Sequence, residues 1–562
     1  DLHSFPTRRS SDLQLADYPG LKMAGRGIMK LTNKTIPGIL EERVRLSDNR
    51  VAMIAEDHTY TWRDCNRIAD AIANYLSQKG VSYGDAVGLW GTNAIEWVLS
   101  FLAIEKLGAV AVLLNPAYHA DEMRDLMERT HVRWLLIGDL KRDLDYKKIL
   151  QEIRVDLPEL RQWICMRDDI LPIITVARRG QKVTSKPPRA VVSPGDPAMI
   201  IFTSGTTRRP KGVILGHDQV IEAMHSVADH MGWGEDDRLL LPLPLFHGSG
   251  VNAGLMTAIL AGMSCVLQPG FHTVAALAAI AHYHCTVFNA VPSMLIIMAR
   301  HPQRADYDLS SLRSGILSGS VISPEHYTKI LQYLPFQHLI PAYGMTETST
   351  LNTMMPLNDP MEKMAASVGK ALPGMNIRIA AVGSDAVLSS GEEGEIQIAG
   401  DCIMQGYDSE PELTAASRTR DGWFHTGDGG RMDADGYVYF SARLSSMIVR
   451  GGENISPPEI ESVIDSFDDN IQMSKVIGIP DPVMQEEPVA IIQMTEDAAE
   501  PLNQAGLMSY LEKKLAYYKL PKYIFEVKNF PMTSSGKIDL NQTRAQVMRR
   551  IQKKETGGTI NE

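Results

Sequence analysis

The sequence predicts an α/β fold: a large N-terminal domain of packed, mostly parallel sheets covered by helices and carrying a small β-rich subdomain, then a small, mobile α+β C-terminal domain. Helix-period and strand-period segments alternate from Thr59 to Ala120 and again through residues 198–345, the rhythm of a sheet covered on both faces. Between about 350 and 443 the texture changes to short strands separated by Gly/Asp turns. Length adds a third constraint, since 562 residues are too many for one core and suggest about three or four units of ordinary size.

Taken in order, residues 1–28 are expected to be a non-native or disordered leader. Phe5–Leu13 resembles translated sequencing-adapter read-through, no apolar core of a signal peptide follows Arg8-Arg9-Ser10-Ser11, and Met29 is the expected start, with Met23 as a second candidate. Tyr60-Thr61-Trp62 opens a helix to about Gln78, with Ile68, Ile72 and Leu76 on one face and Gly80 as its end. Ala86–Trp90 reads as a buried strand, 96–107 as a helix and 109–114 as a strand. The apolar run Met199-Ile200-Ile201-Phe202 reads as another buried strand. Gly394-Glu395-Ile396-Gln397-Ile398 and Asp435-Gly436-Tyr437-Val438-Tyr439 read as short strands of the β-rich part. The expected division is a large domain over 29–443, a hinge at 444–446, a small domain over 447–550 and a frayed polar tail at 551–562.

Composition excludes several classes. The chain is 44% apolar and 22% charged with a net charge of −11, which disfavours a nucleic-acid surface because phosphate binding needs a basic face. The five cysteines (Cys65, Cys165, Cys265, Cys285, Cys402) are scattered without a CxxC pair, the pattern of reduced thiols in a cytoplasmic protein and not of a metal site. Residues 239–299 contain no Asp, Glu, Lys or Arg. Prolines and histidines interrupt that stretch, and its longest clean piece, 253–267, is shorter than the roughly 20 residues of a spanning helix. A buried core around a substrate pocket is therefore expected, with no transmembrane segment.

The chemistry begins at Thr203-Ser204-Gly205-Thr206-Thr207-Arg208-Arg209-Pro210-Lys211-Gly212, directly after the 199–202 strand. Hydroxyls, glycine-freed backbone N–H groups and one lysine can converge there on phosphate oxygens. It is not a Walker A loop, whose Gly-Lys-Ser/Thr ending is absent. Tyr343-Gly344-Met345-Thr346-Glu347, Thr426-Gly427-Asp428, Arg443 with Gly451-Gly452-Glu453-Asn454-Ile455, and Ser535-Gly536-Lys537 follow in that order. Singly, Glu347 and Asp428 read as solvated turn acids, Tyr343 as core and Lys537 as a surface turn. As an ordered set over roughly residues 30–550 they resemble the adenylate-forming superfamily of acyl-CoA synthetases, adenylation domains and luciferases.

The resemblance implies ATP, Mg²⁺ and coenzyme A as cofactors or co-substrates. It assigns Thr203, Ser204, Gly205, Thr206, Thr207 and Lys211 to the β- and γ-phosphates, and Tyr343 to adenine, with Gly319, Ser320, Ala342 and Gly344 around the base. Thr346 would contact the α-phosphate, Glu347 and Thr206 would hold Mg²⁺, and Asp428 with Arg443 would bind the ribose. Lys537 would bridge carboxylate and α-phosphate as they react, a role suited to a compact charge on a flexible stem. For the second half-reaction the small domain would turn to present Gly451, Gly452 and Glu453 to the pantetheine arm. The sequence departs from the family where Arg208 replaces a usual glycine, with backbone strain of about 1 kcal/mol or more if φ there is positive, where Ser445-Ser446 replaces a charged hinge, and, more mildly, where Ala442 replaces a glycine before Arg443.

Pro244-Leu245-Phe246-His247-Gly248-Ser249-Gly250 resembles the acyl-CoA synthetase version of the pocket edge, with His247 where amino-acid-activating relatives carry an aspartate for the ammonium. An unpaired ammonium beside the uncharged 239–299 stretch would be costly. Val291-Pro292-Ser293-Met294-Leu295 and 314–320 would supply further wall. The expectation is a ligase joining a medium- or long-chain fatty acid to CoA, with an aryl acid second. Free CoA is the expected acceptor because no carrier domain follows Lys537. The alternatives are an enzyme loading a carrier protein, or an inactive nucleotide-binding relative. Oligomer formation is left open.

Overall fold

The computed structural model describes residues 29, 31, 33–139, 144–178, 190–203, 209–451, 453–496, 498 and 500–555. The helix Trp62–Gln78 shows how local sequence sets an element. Thr61 Oγ1 accepts from Asp64 N at 3.1 Å and Asp64 Oδ2 accepts from Thr61 N at 3.2 Å, a capping box that satisfies two end groups at once. Ile68, Ile72 and Leu76 are fully buried on one face, and Gly80 takes φ +97° just past the end.

Two large sheets form the bulk of the molecule. One runs in the order Gly406–Tyr407, Lys211–Gly216, Pro197–Thr203, Val110–Leu114, Ala86–Trp90, Trp134–Ile137 and Gln162–Cys165. Its last five strands are mutually parallel and the first two pair antiparallel. The other has nine strands, with a parallel run through His338–Tyr343, Ser314–Leu317, Val287–Phe288, Arg238–Leu241, Ser264–Leu267 and Val51–Ala55. The helix Ile95–Lys106 is buried along its whole length, as a helix in the middle of the core must be. Antiparallel strands Met375–Ala380, Gly394–Gly400, Phe424–Met432 and Val438–Arg443 make the small β-rich part. The C-terminal domain has a five-stranded sheet built on the long hairpin Ile471–Asp481 and Gln485–Met494, faced by the helices Pro457–Asp465 and Gln504–Lys514.

The uncharged 239–299 stretch folds as core: strand, π-helix Val251–Met256, helix Thr257–Ala261 and strand Ser264–Leu267, nearly all buried. Among the described residues no helix is long and apolar enough to cross a membrane.

One core position is unusual. Glu105 is fully buried, neither carboxyl oxygen has a hydrogen-bond partner, and His217 Nδ1 lies 3.5 Å away. Burial pushes the carboxyl well above its ordinary range and pulls His217 down to about 4, so the acid holds its proton beside a neutral imidazole. A carboxyl raised in the folded state contributes stability at low pH that is lost as pH rises through its folded pKa. The depressed His217 has the opposite sign: its contribution is present above 6.5 and lost as pH falls toward 4. Glu105→Gln is therefore expected to lessen the loss of stability as pH rises above neutrality, read from urea melts of both proteins at neutral and alkaline pH.

Candidate active site

The strand His338–Tyr343 delivers Tyr343 at its C-terminal end, where ligands of parallel sheets collect. Phe424–Met432 and Val438–Arg443 pair so that Asp428 faces Arg443 in register. Tyr343 Oη donates to Asp428 Oδ2 at 2.7 Å, and Arg443 Nε lies 3.5 Å from Oδ1. Asp428 Oδ1 is buried without a hydrogen-bond partner, an acceptor ready for a hydroxyl donor. Burial raises the Asp428 carboxyl while the Arg443 charge and the Tyr343 bond oppose the rise. Burial, then Asp428, raises Tyr343, whose ring lies 5.9 Å from that of Phe440 at a 40° tilt. Ala342 is buried just before it. Gly344 just after it has no room for a side chain, since a Cβ there would sit 2.2 Å from the Thr350 carbonyl oxygen.

Thr346 and Glu347 lie in the short 3₁₀ turn Thr346–Thr348, both buried. Tyr407 Oη donates to Glu347 Oε1 at 3.2 Å, and Lys211 Nζ stands 5.2 Å from the Tyr407 ring centre. Burial raises Glu347; its backbone and Tyr407 hydrogen bonds and the Arg443 and Lys211 charges hold it back. Thr203 pairs with Lys211 across adjacent strands, so the two ends of the connection expected to bind phosphate are pinned together. Thr203 Oγ1 is buried with no hydrogen-bond partner. Ser204, Gly205, Thr206, Thr207 and Arg208, and Gly452 in the small domain, lie outside the described residues.

Lys537, far away in sequence, arrives on a tight turn. Lys537 N donates to Thr533 Oγ1 at 3.1 Å, Thr533 N to Lys537 O at 2.7 Å, and Gly536 takes φ +80°. The turn is held on the large domain: Ser293 Oγ donates to Gly536 O at 2.7 Å and Asn115 Nδ2 to Ser534 Oγ at 2.8 Å. Gly319, at φ +92°, lies directly under the lysine stem, since a Cβ there would sit 3.0 Å from Lys537 Cε and 3.2 Å from Val291 Cγ1. Burial, then Arg443, lowers the Lys537 ammonium from the ordinary lysine value. Ser320, next to Gly319, is exposed.

His247 Nδ1 accepts from Ser249 N at 3.2 Å, at the start of the turn that leads into the π-helix. Dense surroundings, then the Lys537 charge, hold the imidazole down at about 3, so it is neutral at working pH. Gly451 and Glu453 lie at the exposed tip of the hairpin Ile448–Arg450 and Glu453–Ile455, whose Ile448 and Ile455 are buried. That hairpin packs within its own domain, Gly451 against Met484 and Arg450 on Glu487, and not around Lys537. Among the described residues no cluster of three or more His, Cys, Asp or Glu could hold a metal ion. Of the two residues expected to hold Mg²⁺, Glu347 offers a buried carboxylate, a donor type that suits this hard cation, and Thr206 lies outside the described residues.

Sequence reasoning missed Tyr407, Asn115 and Ser534. Each acts through a partner brought near only by the fold; Ser534 lies in the stretch around Lys537, but nothing local marks its bond to Asn115.

A family model described as AMP-binding enzyme matches residues 40–408, and the AMP-binding enzyme C-terminal domain matches 459–537. The chain belongs to the AMP-binding enzyme family. It is an AMP-forming acid–thiol ligase, an acyl-CoA synthetase that uses ATP and CoA. It is 30% identical to the human mitochondrial medium-chain acyl-CoA ligase ACSF2, covering 93% of this chain and 89% of that one. It is 31% identical to a methyl-dioxo-octahydroindenyl-propanoyl:CoA ligase of Mycobacterium tuberculosis, covering 91% and 98%. The anthranilate CoA ligase AuaEII, solved with anthranoyl-AMP, superposes with TM-score 0.82 at 25% identity over 94% of this chain and 99% of that one.

Proposed function

We propose that this ligase activates a medium- or long-chain fatty acid, and that 29–443 and 447–550 act as two domains about a hinge at 444–446. The observation that carries the substrate reading is the wall beside Lys537. Val291 and Met294 pack against the Gly319–Lys537 turn, His247 is neutral, and 239–299 bears no charged side chain. An apolar acyl chain is at home there, whereas an ammonium would have no partner. The likeness to medium-chain acyl-CoA ligases supports the same class. The likeness to an anthranilate CoA ligase supports an aryl acid as the second reading.

In this reading the carboxylate attacks the α-phosphate of ATP and pyrophosphate leaves. Asp428, with its open Oδ1, accepts from the ribose hydroxyls, and the Arg443 charge opposes the rise that burial imposes on that carboxyl. The Tyr343 ring flanks the base. Thr346 donates to the α-phosphate, while Thr203 and Lys211 receive the outer phosphates. Glu347 holds the Mg²⁺ that spreads the charge of the phosphates. Lys537 brings an ammonium to the oxygens where negative charge gathers in the transition state, the kind of fixed electrostatic aid that catalyses most. His247 borders the acyl recess and the thiol path.

Acid-dependent ATP–pyrophosphate exchange across fatty, aryl and amino acids tests the reading. Exchange with fatty acids, followed by thioester formation on adding CoA, is expected. Exchange confined to aryl acids would select the second reading, and exchange with amino acids alone would overturn both.

A further inference from the structure

The turn carrying Lys537 fills the space between Val291, Met294 and Gly319. A thiol that attacks the same acyl carbon after adenylation needs that space, so the small domain must be held in place for one step and released for the next. Ser293 and Asn115 bind the Lys537 turn itself, and away from it the small domain is held where the helix Pro324–Tyr333 of the large domain meets the helix Pro457–Asp465 of the small one. His326 Nδ1 stands 3.2 Å from Asp465 Oδ2 and 3.0 Å from Ser323 Oγ. Asp465 Oδ1 accepts from Ser474 Oγ at 2.6 Å. His326 is 4% and Asp465 7% exposed.

A second contact lies at the rim, where Lys329 Nζ is 2.9 Å from Asp469 Oδ1. The Asp469 side chain is 88% exposed, so water and salt screen this pair and it contributes little. The buried pair differs in kind. While the domains are docked, Asp465 has left water and depends on His326 and Ser474. Once they part, His326 and Asp465 both return to water and need no partner. Removing His326 therefore penalises the docked state alone.

We propose that His326 and Asp465 form the latch that holds the small domain in the adenylating orientation, making them positioning residues that act through Lys537. This inference rests on the reading that Lys537 serves adenylation and must withdraw for thiol attack.

The test compares the two half-reactions in His326→Leu and His326→Gln. His326→Leu strands the Asp465 carboxylate, and ATP–pyrophosphate exchange is expected to fall roughly tenfold or more, the order expected when a buried acceptor loses a polar partner. Acyl transfer to CoA from supplied acyl-adenylate should be unchanged or faster, and His326→Gln, which restores a donor, should recover much of the exchange. Proteolysis across Leu444–Ser446 should be faster in His326→Leu than in wild type, a readout that needs no activity. Unchanged exchange and proteolysis, or both half-reactions falling together in both variants with a lowered Tm, would overturn the latch. A wild type without exchange on any acid would instead remove the functional reading, and equal cleavage rates there would remove the latch as well.

Discussion

Lys537→Ala is expected to lower acid-dependent ATP–pyrophosphate exchange roughly 100- to 1000-fold, the loss that follows removal of one preorganised donor from a site of developing charge. ATP affinity should change little, because Asp428, Tyr343 and Lys211 lie on the large domain and do not depend on Lys537 for their geometry. The pH dependence gives a sharper signature. Burial and the Arg443 charge lower the Lys537 ammonium, so the cation is present below its depressed pKa and lost as pH rises through it. Exchange should therefore decline on the alkaline side before the ordinary lysine value of 10.5 is reached. Lys537→Arg, whose guanidinium does not deprotonate, should be slower but should lack that alkaline decline. A pH–rate profile of the first half-reaction for wild type and Lys537→Arg checks both statements.

Asp428→Ala is expected to weaken ATP binding roughly 100-fold, measured by calorimetry. Asp428 Oδ1 is buried and unbonded, so a ligand hydroxyl gains a charge-assisted hydrogen bond there at little reorganisation cost. Two such bonds at about 1.5 kcal/mol each correspond to about a hundredfold in affinity. The same change strands the Tyr343 hydroxyl, which now donates to Oδ2 at 2.7 Å. Tyr343→Phe separates the two effects: it leaves the carboxylate with Arg443 and should cost roughly tenfold or less.

The architecture was legible wherever a residue pattern and its burial pointed the same way. The alternation at Ile68, Ile72 and Leu76 and the apolar run at 199–202 became a one-sided helix and a buried strand. The uncharged 239–299 stretch became core because excluding charge over so long a span has few other physical causes. The π-helix at Val251–Met256 was not legible, since an i→i+5 turn leaves no composition signal. Within the site, motif residues could be named from order and spacing, but their partners could not. Tyr407 lies 60 residues from Glu347 and Asn115 lies 419 from Ser534, and such pairings exist only once the sheets have closed. The His326–Asp465 contact was invisible for the same reason: a histidine and an aspartate on two unremarkable helices carry no sign of meeting.

On the proposed mechanism Lys537, delivered by the small domain, serves the first half-reaction and must leave before the second. This order of events is tested most directly by assaying Lys537→Ala in the two halves separately, as acid-dependent pyrophosphate exchange and as acyl transfer from supplied acyl-adenylate to CoA. The predicted result is loss of exchange with acyl transfer close to wild type. Loss of both in a folded variant, or retention of both, would contradict the account.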